Sequence, residues 1–280
     1  RDKILRKNQP KMKDDMNAKE PTTMDLTTGE IKGGSAYPAL MDGGAKTIAL
    51  LREYLDGEII GLGNLDRVKM PAGGGTRWEV PTLEGSEMAD SVDGVIIHTR
   101  LARAYWEQDY QGGSEPPECS SQDGRHGQPT DAEAWLPPAE ALDDRRFNCV
   151  TCANSQWGSA KTGRGQACKL TRLLFVLTSE STLPVVISLP PSSTAVARQY
   201  LLRLAARSTR ITDVITSVGL ERVKGDGVPD YSRAVLRAST AKALSEGDRA
   251  NLAAYAEQLR PLLDRVHVEP AESAETTETT

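Results

Sequence analysis

The fold that this sequence predicts is decided by residues 172–204, RLLFVLTSESTLPVVISLPPSSTAVARQYLLRL. Residues 172–178 and 184–189 are short runs of large and β-branched apolar residues, which are typical of buried strands, and they are close enough to form a hairpin. The Pro-Pro-Ser-Ser segment at 190–193 then ends the second strand and opens a helix, because serine side chains accept hydrogen bonds from the first N–H groups of a helix. The stretch therefore predicts strand, strand, helix.

Further strands precede and follow this unit. Residues 78–81 and 92–98 have strand composition upstream, and residues 211–223 and 231–236 flank a Gly-Asp-Gly turn downstream. Ser245 and Asp248 have the spacing of a capping box at the start of a last helix, which Pro261 limits. These elements predict a mainly β chain with a C-terminal helix.

Strand, strand, strand, helix, strand, strand is the order of an OB-fold, a small Greek-key barrel. With residues 92–98 as the first strand, the sequence predicts an OB-like nucleic-acid-binding domain over residues 77–263 that carries a zinc-knuckle insertion at 112–170. Residues 1–76 are predicted to be largely disordered with a short helix near 46–55, and residues 264–280 to form a disordered acidic tail. An unrelated α+β arrangement stays open as the alternative.

Positive charge is concentrated in one part of an otherwise acidic chain. The 280 residues have a formal net charge of −5, yet the segment from Arg145 to Arg210 holds ten basic residues and one acidic residue, Glu180. This separation of charge is typical of a surface that binds a polyanion, although an internal salt-bridged interface would also produce it. No apolar run is long enough to cross a bilayer and no secretory signal is recognisable, so we expect a cytoplasmic protein with no membrane partner.

The chain has four cysteines, and all of them lie near or within the basic segment. Cys149 and Cys152 form a CxxC pair, which can direct two thiolates at one ion, and Cys119 and Cys168 could complete a tetrahedral structural Zn²⁺ site. A Cys₃His site that uses His126 is the variant kept open. A redox pair or two disulfides are the alternatives, but a long loop without apolar residues favours metal, since structural zinc contributes on the order of 10–16 kcal/mol to folding.

A flexible segment between the second and fourth cysteines combines an aromatic ring with cations. Trp157 could stack on a base while nearby cations bind phosphates, as in proteins that bind single strands, or it could instead cap the small core of the knuckle. The predicted nucleic-acid contacts are Arg145, Trp157, Lys161, Arg164, Lys169 and Arg172. Neither a catalytic metal motif nor a complete phosphate loop is present, so we expect the protein not to be an enzyme.

The chain from about residue 78 to residue 261 resembles small proteins encoded by phages, prophages and related mobile elements. The resemblance lies in CSSQDG at 119–124, CVTC at 149–152, WGSAKTGRGQACK at 157–169, RLLFVL at 172–177 and ISLPPSS at 187–193. It implies a context of replication and recombination genes and, in such a host, a place in the host cell cytoplasm.

Residues and resemblance together predict a zinc-stabilised protein that binds single-stranded DNA in phage-type replication or recombination. The acidic tail could recruit replication or recombination proteins. The alternative is a protein-interaction module, such as a recombination directionality factor or a host-takeover adaptor. A nuclease or transferase whose carboxylates meet only in the folded chain is a more distant third.

Overall fold

A computed structural model describes residues 37, 39, 65–108, 115–143, 145–161, 165–225, 229–239, 243–266 and 268. Within this part the chain is mainly β, with two α-helices. The strands are β1 (Arg67–Val68), β2 (Trp78–Thr82), β3 (Gly85–Ala89), β4 (Ser91–Tyr105), β5 (Cys119–Ser121), β6 (His126–Pro129), β7 (Phe147–Asn148), β8 (Lys169–Leu177), β9 (Val185–Leu189), β10 (Thr216–Val223) and β11 (Tyr231–Ala238). The helices are α1 (Pro191–Ala205) and α2 (Glu246–Leu263), and short 3-10 turns occur at Ala153–Ser155 and Ile211–Asp213.

Nine of these strands form one sheet, in the order β1-β9-β8-β4-β5-β6-β7, with β10 paired to both β4 and β11. The pairing of β1 with β9 is parallel, and the other pairings in this sheet are antiparallel. The 15-residue strand β4 connects its parts, because its start pairs with β10, its middle with β8 and its end with β5. Strands β2 and β3 form a separate hairpin.

Both faces of the central strands are buried, which explains their continuous apolar runs. Leu173, Phe175 and Leu177 on one face of β8 share a core with Leu252 and Leu259 of α2. The alternate residues Leu174 and Val176 belong to a second core with Ala197 and Tyr200 of α1 and with Trp78. Side chains of a strand alternate between its two faces, so β8 lies between the two helices.

The mainly β architecture with a C-terminal helix is confirmed, but the OB-fold is not. The pairings join β9, β8, β4, β10 and β11 in a row. A closed five-stranded barrel would also need its end strands to pair. Among the described residues β9 pairs with β1 instead of β11, and this row stays open.

Several predicted boundaries differ from the structure, and three of them bear on the fold. The strand predicted at residues 92–98 runs from Ser91 to Tyr105, because its second half continues to pair with β8. The strand predicted at 211–223 begins at Thr216, since Ile211–Asp213 form a 3-10 turn in which Asp213 bonds the backbone and side chain of Arg210. Pro261 lies inside α2 rather than beyond it.

The predicted cap of the last helix is confirmed, because Ser245 Oγ accepts the N–H of Asp248 at 3.0 Å. Residues ahead of the predicted domain start also contribute to the cores, since Tyr37, Ala39, Leu65 and Val68 are buried. The helix predicted at 46–55 and most of the acidic tail lie outside the described residues. No helix in the described part is long and apolar enough to span a membrane.

Candidate metal centre

The cysteines lie in the segment that joins β4 to β8. We call the described residues of this segment, 106–108, 115–143, 145–161 and 165–168, the cysteine lobe. The lobe contributes β5, β6 and β7 to one side of the sheet. Apart from Trp106, which packs against the α2 core, none of its described residues belongs to either hydrophobic core. The lobe therefore depends on another source of stability.

Each cysteine is positioned by a regular element. Cys119 is the first residue of β5, Cys149 directly follows β7, Cys152 caps the 3-10 turn Ala153–Ser155, and Cys168 directly precedes β8. Backbone hydrogen bonds join these elements, since the N–H of Cys149 donates to Arg125 O at 2.9 Å and that of Cys168 to Asn154 O at 2.7 Å. Distant parts of the chain thus meet in the lobe.

All four cysteines line one small cavity. Each is a free thiol with only 7–8% of its surface exposed. The aromatic walls are Tyr105, Trp135 and Phe147, and the rings of Tyr105 and Trp135 stack with centroids 5.3 Å apart. A cavity of buried, unpaired sulfur atoms with an aromatic wall is the main chemical feature of the lobe.

The CxxC turn is held by side-chain hydrogen bonds. Asn148 Oδ1 accepts the N–H of Val150 at 3.0 Å, and Ser155 Oγ donates to the carbonyls of Cys149 and Cys152. Gln156 Nε2 donates to Val150 O at 2.8 Å. These bonds satisfy the carbonyls of the turn and fix the two cysteines relative to each other.

Burial raises the pKa of three of the four thiols. It raises the pKa of Cys119 to about 12, helped by the three other cysteines, and raises that of Cys168 to about 12 even though the Arg103 guanidinium opposes the shift. Burial also raises the pKa of Cys149, against a hydrogen bond from Ser121. A reactive or redox cysteine needs an accessible, low-pKa thiolate. The buried Cys149, whose pKa is raised, therefore does not resemble a redox cysteine.

The donor set fits a soft divalent ion, because four cysteine sulfurs are the ligands of a closed structural zinc site. The described residues nevertheless contain no group of three or more Cys, His, Asp or Glu side chains whose arrangement could hold a metal ion as it stands. The thiols share a cavity without forming a finished coordination shell. The zinc site therefore stays a prediction.

His126, the alternative ligand, is exposed and is not among the residues that line the cavity. Its Nδ1 is hydrogen-bonded to Asp123 Oδ2. Burial would raise the pKa of Asp123, but hydrogen bonds from the N–H groups of His126 and Arg125 and from the side chains of His126 and Ser121 lower it to about 2. Asp123 therefore stays charged and holds the turn between β5 and β6.

Gly127 explains how two of the sulfurs come close to the same backbone. A Cβ at this position would lie 3.2 Å from Cys119 Sγ and 3.2 Å from Cys149 Sγ. We expect Gly127→Ala to destabilise the lobe by about 1–3 kcal/mol, because the sulfurs must move to admit the methyl group. Thermal unfolding followed by Trp fluorescence would measure the loss.

Gly165→Ala is the matched control, since the nearest atom to its added Cβ would be Ala160 Cβ at 3.7 Å, an ordinary contact. Equal stabilities of the two variants would contradict the close approach of Gly127 to the sulfurs.

The predicted nucleic-acid residues do not form one surface. Arg145 is exposed, Trp157 is 72% exposed, and the exposed Lys161 donates to the carbonyl of Glu107. Arg164 lies outside the described residues. Lys169 and Arg172 are three positions apart on β8, so they point to opposite faces of the sheet. Burial lowers the pKa of both.

Sequence reasoning missed several residues of the site. Arg103 donates to the carbonyls of Gly124 and Cys168, which joins β4 to the lobe, and Tyr105 and Trp135 line the cavity. Of these residues only Tyr105 had a signal in the sequence, because the alternation that is typical of a strand continues to the end of β4. Trp157 is exposed, so it does not cap the core of the knuckle, which was the alternative role predicted for it.

Comparison with known proteins adds no relative. No family matches this chain. The scan of protein-family models finds no match, and neither the curated proteins nor the solved structures yield a similar one. The resemblance to phage and prophage proteins stays a prediction, and function has to be argued from the site itself.

Proposed function

We propose that this protein is a non-enzymatic, zinc-stabilised protein that binds single-stranded DNA in phage-type replication or recombination. Cys119, Cys149, Cys152 and Cys168 hold one structural Zn²⁺, and the lobe that they organise carries the DNA contacts. The observation that carries the proposal is the convergence of four buried free thiols on one cavity. A structural zinc ion supplies folding energy that the lobe otherwise lacks, since Trp106 alone of its described residues packs against a hydrophobic core.

The position of the lobe supports the DNA-binding part of the proposal. In an OB-fold the loop between the first and second strands is one of the loops that bind oligonucleotides. If β4, β8, β9, β10 and β11 are the five strands of an OB-like unit, the cysteine lobe occupies that loop.

The exposed side chains of the lobe suit a single strand. Trp157 presents a ring to solvent, and Arg145, Arg146 and Lys161 are exposed cations in the same lobe. Base stacking on an aromatic ring is sequence-tolerant, and cations bind the phosphates between the bases. Asp143 neutralises part of this charge through its ion pair with Arg146.

We expect the affinity for a single-stranded oligonucleotide to fall steeply as salt rises, because bound phosphates release counterions. We expect Trp157→Ala to weaken binding by about 1–3 kcal/mol through lost stacking, and Trp157→Phe to retain part of it. Fluorescence anisotropy at several salt concentrations measures both effects.

Leu142→Ala is the control, because it removes another exposed apolar side chain of the lobe without an aromatic ring. An affinity that does not respond to salt, or an equal loss in Trp157→Ala and Leu142→Ala, would contradict the proposal.

A protein-interaction module is the second candidate, and one observation favours it. Large apolar side chains are exposed at four positions of the lobe: Leu136, Leu142, Val150 and Trp157. Exposed apolar side chains of this kind supply the apolar area that protein-binding surfaces use. Such a module would co-purify with a recombinase or polymerase and would shift no free oligonucleotide.

A further inference from the structure

The hairpin of β2 and β3 has one edge that no described residue covers. On β2, Glu79 exchanges both of its backbone hydrogen bonds with Lys69, at 2.9 and 3.1 Å. Opposite residues of an antiparallel pair alternate between pairs that are hydrogen-bonded to each other and pairs that are not. Glu79 and its partner Met88 therefore form a pair of the second kind, and the backbone groups of Met88 point away from β2.

Ser86, two positions before Met88, has the same backbone orientation. Its partner on β2 is Pro81, which has no N–H to donate. Arg77 Nη2 donates to Met88 O at 2.6 Å, but among the described residues none accepts the N–H of Ser86 or of Met88. The residues of β3 are exposed except for the last, Ala89, which is half-buried. β3 thus presents unpaired backbone donors to solvent.

Folded proteins usually protect a free strand edge with a proline, a bulge or a covering segment, because an open edge can pair with another chain. The outer edge of β2 is protected in this way by Pro81 and by the pairing with Lys69. β3 contains no proline, and its pairing with β2 has no register shift. The edge of β3 is therefore open to another strand.

The charge of the hairpin indicates which strand would fit. Residues 77–90 contain four acidic residues and one basic residue. Ion pairs with Lys69 and Arg77 neutralise two of the acids, which leaves Glu84 and Glu87 without an ion pair to a described residue. An acidic edge repels nucleic acid and attracts a basic chain.

A second copy of this chain does not suit the edge. Two β3 strands that pair antiparallel over all five of their residues would place Ser86 opposite Met88 and the two Glu87 side chains opposite each other. Like charges directly opposite each other destabilise a pair of strands. The charge of β3 therefore favours a different, basic partner.

We propose that the open edge of β3 binds an extended basic segment of a partner protein as an additional strand. The backbone of that segment accepts the N–H groups of Ser86 and Met88. A cation of the segment lies opposite Glu87, and apolar residues next to it lie opposite Met88, which is on the other face of β3 and is 47% exposed. A segment in which basic and apolar residues alternate matches both faces.

Two labelled peptides test the edge: one of alternating lysine and valine, and one of alternating glutamate and valine. Ser86→Pro removes an outward N–H but no hydrogen bond between β2 and β3, so the hairpin should be retained. Ser86→Ala is the matched control, because it removes the hydroxyl group and keeps the N–H. Glu87→Lys reverses the charge of the edge. Binding is measured by fluorescence anisotropy, and thermal unfolding checks that each variant is folded.

We expect the wild type to bind the basic peptide and not the acidic one. Ser86→Pro should weaken this binding by about tenfold, since the edge loses a backbone hydrogen bond and the strand beside it is displaced. Ser86→Ala should change it by less than about twofold. Glu87→Lys should weaken binding of the basic peptide by about fivefold and should bind the acidic peptide more tightly than the wild type does.

Three outcomes would overturn the edge site. One is wild-type protein that does not bind the basic peptide at up to about 1 mM. Another is equal affinity of Ser86→Pro and Ser86→Ala, and the third is wild-type protein that binds both peptides equally. If Ser86→Pro is unfolded, the response of Glu87→Lys to the two peptides decides. The hairpin lies outside the cysteine lobe, so none of these results depends on zinc or on DNA.

Discussion

Cys149→Ser is expected to abolish zinc binding and to unfold the cysteine lobe, while the wild type binds about one zinc ion per chain. The serine hydroxyl is a poor substitute for a thiolate, and a site that loses one of four ligands loses most of its affinity. Structural zinc contributes on the order of 10–16 kcal/mol in small metal-dependent units, so its loss should exceed any local stability of the lobe.

The effect should stay within the lobe. Beyond Trp106, the two hydrophobic cores contain none of its described residues, so β8, β9 and both helices keep their packing when the lobe unfolds. Metal analysis by mass spectrometry gives the zinc content, and hydrogen exchange followed by peptide mass spectrometry shows where protection is lost. Protection should fall between β4 and β8 and persist in β8 and β9.

Val150→Ser is the matched control for this variant. Val150 lies between the two cysteines of the CxxC turn, and its side chain is 69% exposed. It should keep both the zinc and the protected lobe. Two outcomes would contradict the zinc proposal and the metal-organised lobe. One is wild-type protein that takes up no zinc after refolding with the metal, and the other is a Cys149→Ser variant that retains one zinc ion per chain.

Arg100→Ala is expected to lower the free energy of unfolding by about 3 kcal/mol, the second-largest effect. Arg100 lies on β4 and is 8% exposed, and its guanidinium donates to three carbonyls: Gln122 O at 2.7 Å, Leu263 O at 3.2 Å and Val266 O. These bonds join the sheet to the turn after β5 and to the end of α2. Their removal takes the guanidinium donor from all three carbonyls, of which Leu263 O keeps the N–H of Val266.

The charge of Arg100 is retained at neutral pH. Burial lowers the pKa of this guanidinium to about 10, with Asp264 opposing the shift and Arg67 adding to it. The guanidinium therefore makes charge-assisted hydrogen bonds throughout the physiological range, which is why truncation costs more than the loss of a neutral bond. Urea unfolding followed by circular dichroism measures the change.

Arg77→Ala provides the comparison at the surface. Arg77 pairs with Asp90 at 3.1 Å and donates to Met88 O, but more than half of its side chain is exposed. Such a pair contributes about 1 kcal/mol or less. A cost for Arg100→Ala no greater than that for Arg77→Ala would show that the buried guanidinium does not hold the end of α2.

The difference between predicted and observed elements follows from the range of the forces involved. The hairpin of β8 and β9 and the helix α1 were predictable, because alternation, Pro-Pro and the serines at a helix start act over a few residues. The extension of β4 beyond His98 to Tyr105 was not. Its second half includes the charged Arg100, which is buried and whose guanidinium donates to the end of α2.

The candidate site likewise has a part that the sequence predicted and a part that only the structure showed. The four cysteines were recognisable from their number and the CxxC spacing, but their burial with Tyr105, Trp135 and Gly127 around one cavity depends on strands that lie far apart in sequence. That Lys169 and Arg172 point to opposite faces also came from the structure, because the predicted strand began at residue 172 and only the observed β8 includes Lys169.

By itself the sequence determined the mainly β character, the central hairpin and helix, the cap at Ser245 and the set of cysteines, because each depends on neighbouring residues or on composition. Tertiary structure alone decided that Gly127 lies against two sulfurs and that Arg100 binds the end of α2. Those contacts join residues many positions apart, and their energies depend on burial, which no local pattern specifies.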